Sequence, residues 1–322
     1  MSVPKAAVVG CSGPSLTEDE RRLFAASDPL GFILFARNCV DPAQLRRLVD
    51  ALREAVGRRD ALVLIDQEGG RVARLGPPHW RKAPPASEFA AMYRADPRAG
   101  ISAARLNARL MAKELADAGI NVDCTPVLDI PVAGADPIIG DRAYGDSAEQ
   151  IAVLGRTVCD GMLDMGVLPV IKHIPGHGRA RADSHKTLPV VETSHGELSR
   201  TDFIPFRGLA EAAPCAMTAH VVYADIDPEA PATLSRKVIA EIIRREIGFD
   251  GLLFSDDLGM GALSGPLAGR TRACLAAGCD VALHCSGVLG ETEEVLDAVA
   301  ELTTEAVRRL ALALAKVENG RA

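Results

Sequence analysis

The chain has no excess of positive charge. Its 36 Lys and Arg stand against 43 Asp and Glu, for a formal net charge of −7. No basic run or aromatic-basic stripe interrupts that balance, which argues against nucleic acid as a partner. No apolar stretch approaches the roughly 20 residues that a membrane span needs. The first residues, MSVPKAAVVGCSG, hold one Lys and a short apolar run that stops at Gly10. That reads as a first strand and not as a signal peptide. The eight cysteines form no Cys-x-x-Cys pair, and most sit in apolar surroundings. They are expected to be reduced and buried, in a cytoplasmic protein. Short catalytic signatures are also missing. There is no His-Glu-x-x-His or His-x-His, no Gly-x-Ser-x-Gly elbow, and no Gly-x-Gly-x-x-Gly after the first strand. These absences count against a zinc hydrolase, a Ser-nucleophile hydrolase and a dinucleotide-binding open sheet.

What is present is a regular alternation of short apolar runs and longer amphipathic ones. The strand-like runs are Ala6–Val9, Gly31–Ala36, Ala61–Ile65, Asn121–Pro126, Leu168–Ile171, Cys215–Ala219, Gly251–Phe254 and Asp280–Leu283. Spacing of three and four predicts a helix over Pro42–Val56, with Leu45, Leu48, Val49 and Leu52 inward. Another is predicted over Ile101–Ala118, with Leu106, Leu110, Met111 and Leu115 as its apolar face. Further helices are expected at Ala148–Met165, Asp202–Ala212, Ser235–Ile247 and Leu267–Ala277, with a long closing helix at Glu291–Val317. Unbroken apolar strands are buried on both faces, as in parallel sheets. Eight β/α units in 322 residues predict an α/β fold, a single (β/α)8 TIM-type barrel spanning 1–322. The barrel is expected to be imperfect near the first helix, which is poorly marked, and irregular over Arg81–Arg98.

The polar residues then fall in a pattern. The runs end at Asp66, Asp129, Lys172-His173, His220, Asp256 and His284. Barrel chemistry gathers at the C-terminal ends of strands. Charged residues directly after apolar runs are costly unless they face a cleft. The densest stretch is Val170–Val190, VIKHIPGHGRARADSHKTLPV, where His173 stands at a strand end and His177, Asp183 and His185 lie on the Gly-rich loop that follows. His173, His177, His185 and His220 could serve as metal ligands, but their spacing fits no standard metal motif. A carboxylate nucleophile with a separate proton donor fits best, which points to glycoside hydrolysis without a metal or cofactor.

Several stretches resemble bacterial β-N-acetylglucosaminidases of glycoside hydrolase family 3. The main one is Lys172-His173-Ile174-Pro175-Gly176-His177-Gly178 followed by Asp183-Ser184-His185. Gly31-Phe32-Ile33-Leu34-Phe35, Asp66-Gln67-Glu68-Gly69-Gly70-Arg71-Val72, Pro126-Val127-Leu128-Asp129, Ile139-Gly140-Asp141-Arg142 and Phe254-Ser255-Asp256-Asp257-Leu258-Gly259-Met260 follow the same pattern, in order. Two departures stand out. Ile174 replaces the expected Phe, and Gly76–Ala86 does not match closely.

The resemblance implies that Asp256 is the nucleophile and His185 the general acid/base, with Asp183 orienting His185. It also implies that Asp66, Arg74, Arg142, Lys172 and His173 bind sugar hydroxyls. Met260 is a pocket residue on this reading, and Glu68 and Asp129 support the arginines or the loop. His177 is expected to shape the loop. The implied activity is exo-acting retaining removal of N-acetylglucosamine from cell-wall muropeptides, by a monomer in the cytoplasm. The alternatives are a glycoside phosphorylase or broader β-glycosidase of the same family, and a non-catalytic sugar-binding sensor.

Overall fold

In the computed structural model, residues 3–320 are described. Eight parallel strands close into a barrel in the order β1-β2-β3-β4-β5-β7-β9-β10. They are β1 (Lys5–Gly10), β2 (Pro29–Leu34), β3 (Leu62–Ile65), β4 (Val122–Asp123), β5 (Leu168–Ile174), β7 (Cys215–Thr218), β9 (Leu252–Asp257) and β10 (Val281–His284). The short strands β6 (Val190–Val191) and β8 (Val222–Tyr223) pair outside the barrel. The helices are α1 (Glu18–Ser27), α2 (Pro42–Ala55), α3 (Ala86–Ala95), α4 (Pro97–Asp117), α5 (Ala148–Leu163), α6 (His195–Arg200), α7 (Phe203–Leu209), α8 (Leu267–Ala277), α9 (Leu289–Ala298) and α10 (Thr304–Gly320), with a π-helical stretch at Val238–Glu246. No described helix is long and apolar enough to cross a membrane.

The strands are apolar throughout because each serves two cores. Val8, Leu64, Val170 and Leu252 belong to the cluster inside the barrel. Their neighbours Val9, Val63, Ile171 and Leu253 pack with the helices outside. Alternate side chains point to opposite faces, so burying both faces erases the polar alternation.

The sequence expectations need correction at five places. The first helix is well formed. Thr17 and Glu20 make a capping box around its start. It buries only Glu20 and Phe24, too sparse an apolar stripe to be read from spacing. The irregular Arg81–Arg98 stretch contains α3, which buries Ala86, Phe89 and Ala90, and the first residues of α4. Leu106 and Leu110 do not face the core of α4, being 60% and 42% exposed. Small Ala104, Ala108 and Ala112 take the inner face instead, letting α4 and α5 approach closely. The expected Asp202–Ala212 helix is the shorter α7, preceded by α6.

The long closing helix is two helices. Between them Glu301 bridges antiparallel to Lys5. Ala6 N–H bonds to Ala300 O at 2.9 Å, and Leu302 N–H bonds to Pro4 O at 2.9 Å. This crossing runs at the N-terminal end of the barrel, and Leu302 joins the inner core there. Main-chain pairing with β1 therefore interrupts a run whose composition alone favours helix.

Candidate active site

The C-terminal mouth of the barrel holds a cavity of about 270 Å³. Asp66, Glu68, Arg74, Arg142, Lys172, His173, His185, Asp256 and Met260 all line it. Asp129, His177 and Asp183 do not line the cavity; each touches residues that hold its wall. Lys172, His173, Asp256 and Asp257 lie in the last residues of β5 and β9, not beyond them.

One wall is an alternating charge network. Lys172 Nζ lies 2.7 Å from Asp66 Oδ1 and 2.8 Å from Glu68 Oε1. Arg74 reaches Asp66 Oδ2 at 3.1 Å. Arg142 clamps Glu68 through two bonds of 2.8 Å. Burial opposes the charge on both carboxylates, but the neighbouring cations outweigh it. Asp66 is held well below the carboxylate range, and Glu68 is held at about 2. Burial likewise opposes the charge on Lys172, yet Asp66 and Glu68 raise it overall, so it stays cationic. The result is a rigid set of ionised groups whose remaining donors and acceptors suit hydroxyls.

A second pairing fixes His173. Its Nδ1 lies 2.6 Å from Asp129 Oδ2. An ionised carboxylate only accepts, so Nδ1 carries a proton and donates it to Asp129. Asp129 Oδ1 also accepts the His177 backbone N–H at 2.6 Å. His177 is buried and bonds Ser184 Oγ through Nε2 at 3.1 Å. Burial, with His173 nearby, pushes His177 down to about 4, so it is neutral near pH 7. Its contacts run within the loop. Gly176 O accepts from buried Tyr223 Oη at 2.6 Å. A Cβ on Gly178 would come within 1.9 Å of Ile130 O, so only glycine allows this approach.

At the far end of that loop, His185 Nδ1 sits 2.8 Å from Asp183 Oδ1. The His185 backbone N–H bonds the same oxygen at 2.9 Å. A modest burial effect on Asp183 is outweighed by these contacts, so its carboxyl lies below the usual range. His185 O and Ser184 O accept from Gly261 N–H and Ala262 N–H, both at 3.1 Å. The loop that carries His185 is thereby tied to the turn that follows Asp256.

Asp256 and Asp257 differ in their attachments. Asp257 Oδ1 accepts from Gly259 N–H at 3.0 Å and Cys285 N–H at 3.1 Å, which joins β9 to β10. Asp256 Oδ1 accepts only its neighbour's N–H, at 2.8 Å. Burial would raise Asp256. His220, His173, the Asp257 N–H and Lys172 reverse that, so Asp256 is held ionised below its ordinary value. An ionised carboxylate with a free oxygen in a cavity is what nucleophilic attack requires.

Two contributors were not singled out from the sequence. Gln67 is buried, and its Oε1 accepts the Arg74 and Leu75 N–H groups at 2.8 and 3.0 Å. Phe35 carries the Arg74 guanidinium 4.9 Å from its ring centroid. Both sit inside quoted motifs, so motif membership was the available signal. His220, named at its strand end, is wholly buried and donates from Nε2 to Asp257 O at 2.9 Å. Among the described residues, no group of three His, Cys, Asp or Glu is arranged to hold a metal.

Residues 8–319 match the family description "Glycosyl hydrolase family 3 N terminal domain". A β-hexosaminidase of Alkalilimnicola ehrlichii is 42% identical over 282 residues, covering 87% of this chain and 80% of that protein. A β-hexosaminidase of Bordetella pertussis is 35% identical, covering 95% and 88%. The solved structure of native NagZ from Neisseria gonorrhoeae is 31% identical with a TM-score of 0.83, covering 99% of this chain and 98% of that one. A family 3 β-N-acetylglucosaminidase from Paenibacillus sp. is 33% identical with a TM-score of 0.87, covering 98% and 61%. The chain therefore belongs to glycosyl hydrolase family 3, as a glycoside hydrolase of the β-hexosaminidase type.

Proposed function

We propose that this enzyme removes a terminal β-linked N-acetylglucosamine from peptidoglycan fragments, including those ending in 1,6-anhydro-N-acetylmuramic acid. The setting on this reading is cell-wall recycling in the cytoplasm, by a monomer. The observation that carries the reading is one cavity lined by both Asp256 and His185, with Asp183 on the His185 ring.

Asp256 attacks the anomeric carbon while His185 protonates the departing glycosidic oxygen. The bond to the leaving sugar breaks and a glycosyl–Asp256 ester forms. His185, now neutral, takes a proton from water, whose oxygen attacks the same carbon and frees Asp256. Two displacements give net retention. An imidazole suits both proton steps because its ordinary value lies near cytoplasmic pH. Asp183 stabilises the protonated ring. Asp66, Arg74, Arg142, Lys172 and His173 hold the sugar hydroxyls, with Met260 against the ring. Motion of the loop from Pro175 to Lys186 would bring His185 over the glycosidic oxygen and release product.

The test is hydrolysis of a chromogenic β-N-acetylglucosaminide and the matching β-glucoside by wild type and Asp256→Ala, with and without phosphate. Cleavage of the N-acetyl substrate alone, lost in the variant and unchanged by phosphate, is the expected result. Sugar 1-phosphate as product would overturn the hydrolase reading, and equal cleavage of the glucoside would overturn the cell-wall role.

A further inference from the structure

The segment Gly76–Ala86, which departs from the family pattern, builds a second cavity of about 420 Å³. It shares one lining residue with the first cavity, Arg74. Its other notable walls are Pro77, Pro78, His79, Trp80 and Lys82. No carboxylate lines it, although the chain as a whole carries a net charge of −7. Lys82 and His79 are exposed and make no ion pair among the described residues. Arg81, between them, turns away to Asn107 at 2.8 Å and Glu114 at 3.5 Å. Trp80 is half-buried, packs on the main core, and meets the His79 ring edge-on at 5.9 Å. The Arg74 Nε is buried with no acceptor.

We propose that this cavity binds a small ring compound bearing a carboxylate, a sugar acid being the class that fits. The volume falls in the range of small-molecule pockets. A held indole and two prolines offer apolar surface to a ring face. Lys82 supplies a cationic donor with no carboxylate partner among the described residues, and Arg74, paired with Asp66 through one nitrogen, adds its unpartnered Nε–H. A neutral sugar would leave those donors unmatched, so the site distinguishes acid from neutral sugar. Because Arg74 also holds Asp66, occupancy here and occupancy of the first cavity are linked, each changing the other's affinity by the same factor.

Trp80 is the chain's only tryptophan, so its fluorescence reports on this cavity. The whole protein is titrated with D-glucuronate and with D-glucose, which differ in the carboxylate alone. Glucuronate is expected to perturb the emission with an apparent dissociation constant about tenfold below that of glucose. Lys82→Glu should abolish the preference and Lys82→Arg should keep it, with thermal melts of both confirming the fold. Equal responses to the two sugars, or a preference that survives Lys82→Glu, would overturn the proposal. Glycoside hydrolysis is scored separately on the same preparations, so a failure of the first site leaves this result readable.

Discussion

At Asp256, burial pushes towards the neutral acid, and the imidazoles and Lys172 push towards the carboxylate, which wins. Asp257, one residue on, spends its oxygen on two backbone N–H groups. Asp256→Ala is therefore expected to lower kcat by about 10³-fold or more while the melting temperature barely moves. Asp257→Ala should lose stability as well as activity, because it unties β9 from β10; a melt and a rate on each variant distinguish the two. His185→Ala should lower kcat by about 10²–10⁴-fold for a poor leaving group, and by less for nitrophenol, which departs without a proton. Glu68 carries a pH signature. It is held at about 2, below its ordinary 4.5. Its ionised form stabilises the folded chain above about 4.5, and that contribution fades as pH falls towards 2. Melting temperatures measured from pH 6 to pH 3 should fall steeply for wild type. Glu68→Gln should start lower and fall less steeply.

Between elements, the contact of the His185 loop with the turn after Asp256 carries the arrangement of the site. A Cβ on Gly261 would lie 2.8 Å from both His185 O and Lys186 O. Gly261→Ala should push the His185 loop away from the nucleophile, lowering kcat at least about tenfold with a near-native melt. A circular dichroism melt beside the rate tests this, and an unchanged rate would show that the loop position is not set there. The α1 cap acts on stability alone. Thr17→Ala is expected to cost about 1 kcal/mol, read as a lower urea midpoint with unchanged slope. The helix it starts buries one aromatic, Phe24, which is why it was poorly marked in the sequence. Periodicity fails where so few residues are buried. The same failure reversed misplaces Leu106 and Leu110, apolar residues left on the surface of α4.

Across the whole molecule, β1 and the chain near Glu301 close the barrel at one end while the strand termini open it at the other. Removing the chain after Ala298 would take away this crossing and α10, whose Ala306 and Ala313 belong to the inner core. Such a truncation is expected to lose its cooperative thermal transition. Residues far apart in the chain then act together: Asp66 and Lys172, 106 positions apart, form one ion pair. The sequence alone determined the eight barrel strands, their parallel character, the single barrel and the mouth at which the polar residues would gather, but not the outlying pair β6 and β8. Those follow from local rules: an apolar run is buried on both sides, and a charge placed after it needs a cleft. Only the tertiary structure decided which carboxylate keeps a free oxygen, which ring nitrogen of His173 is the donor, and where the last helix breaks. Each of those depends on a partner brought in from a distant strand, and pairing across the barrel leaves no mark in the local pattern of residues.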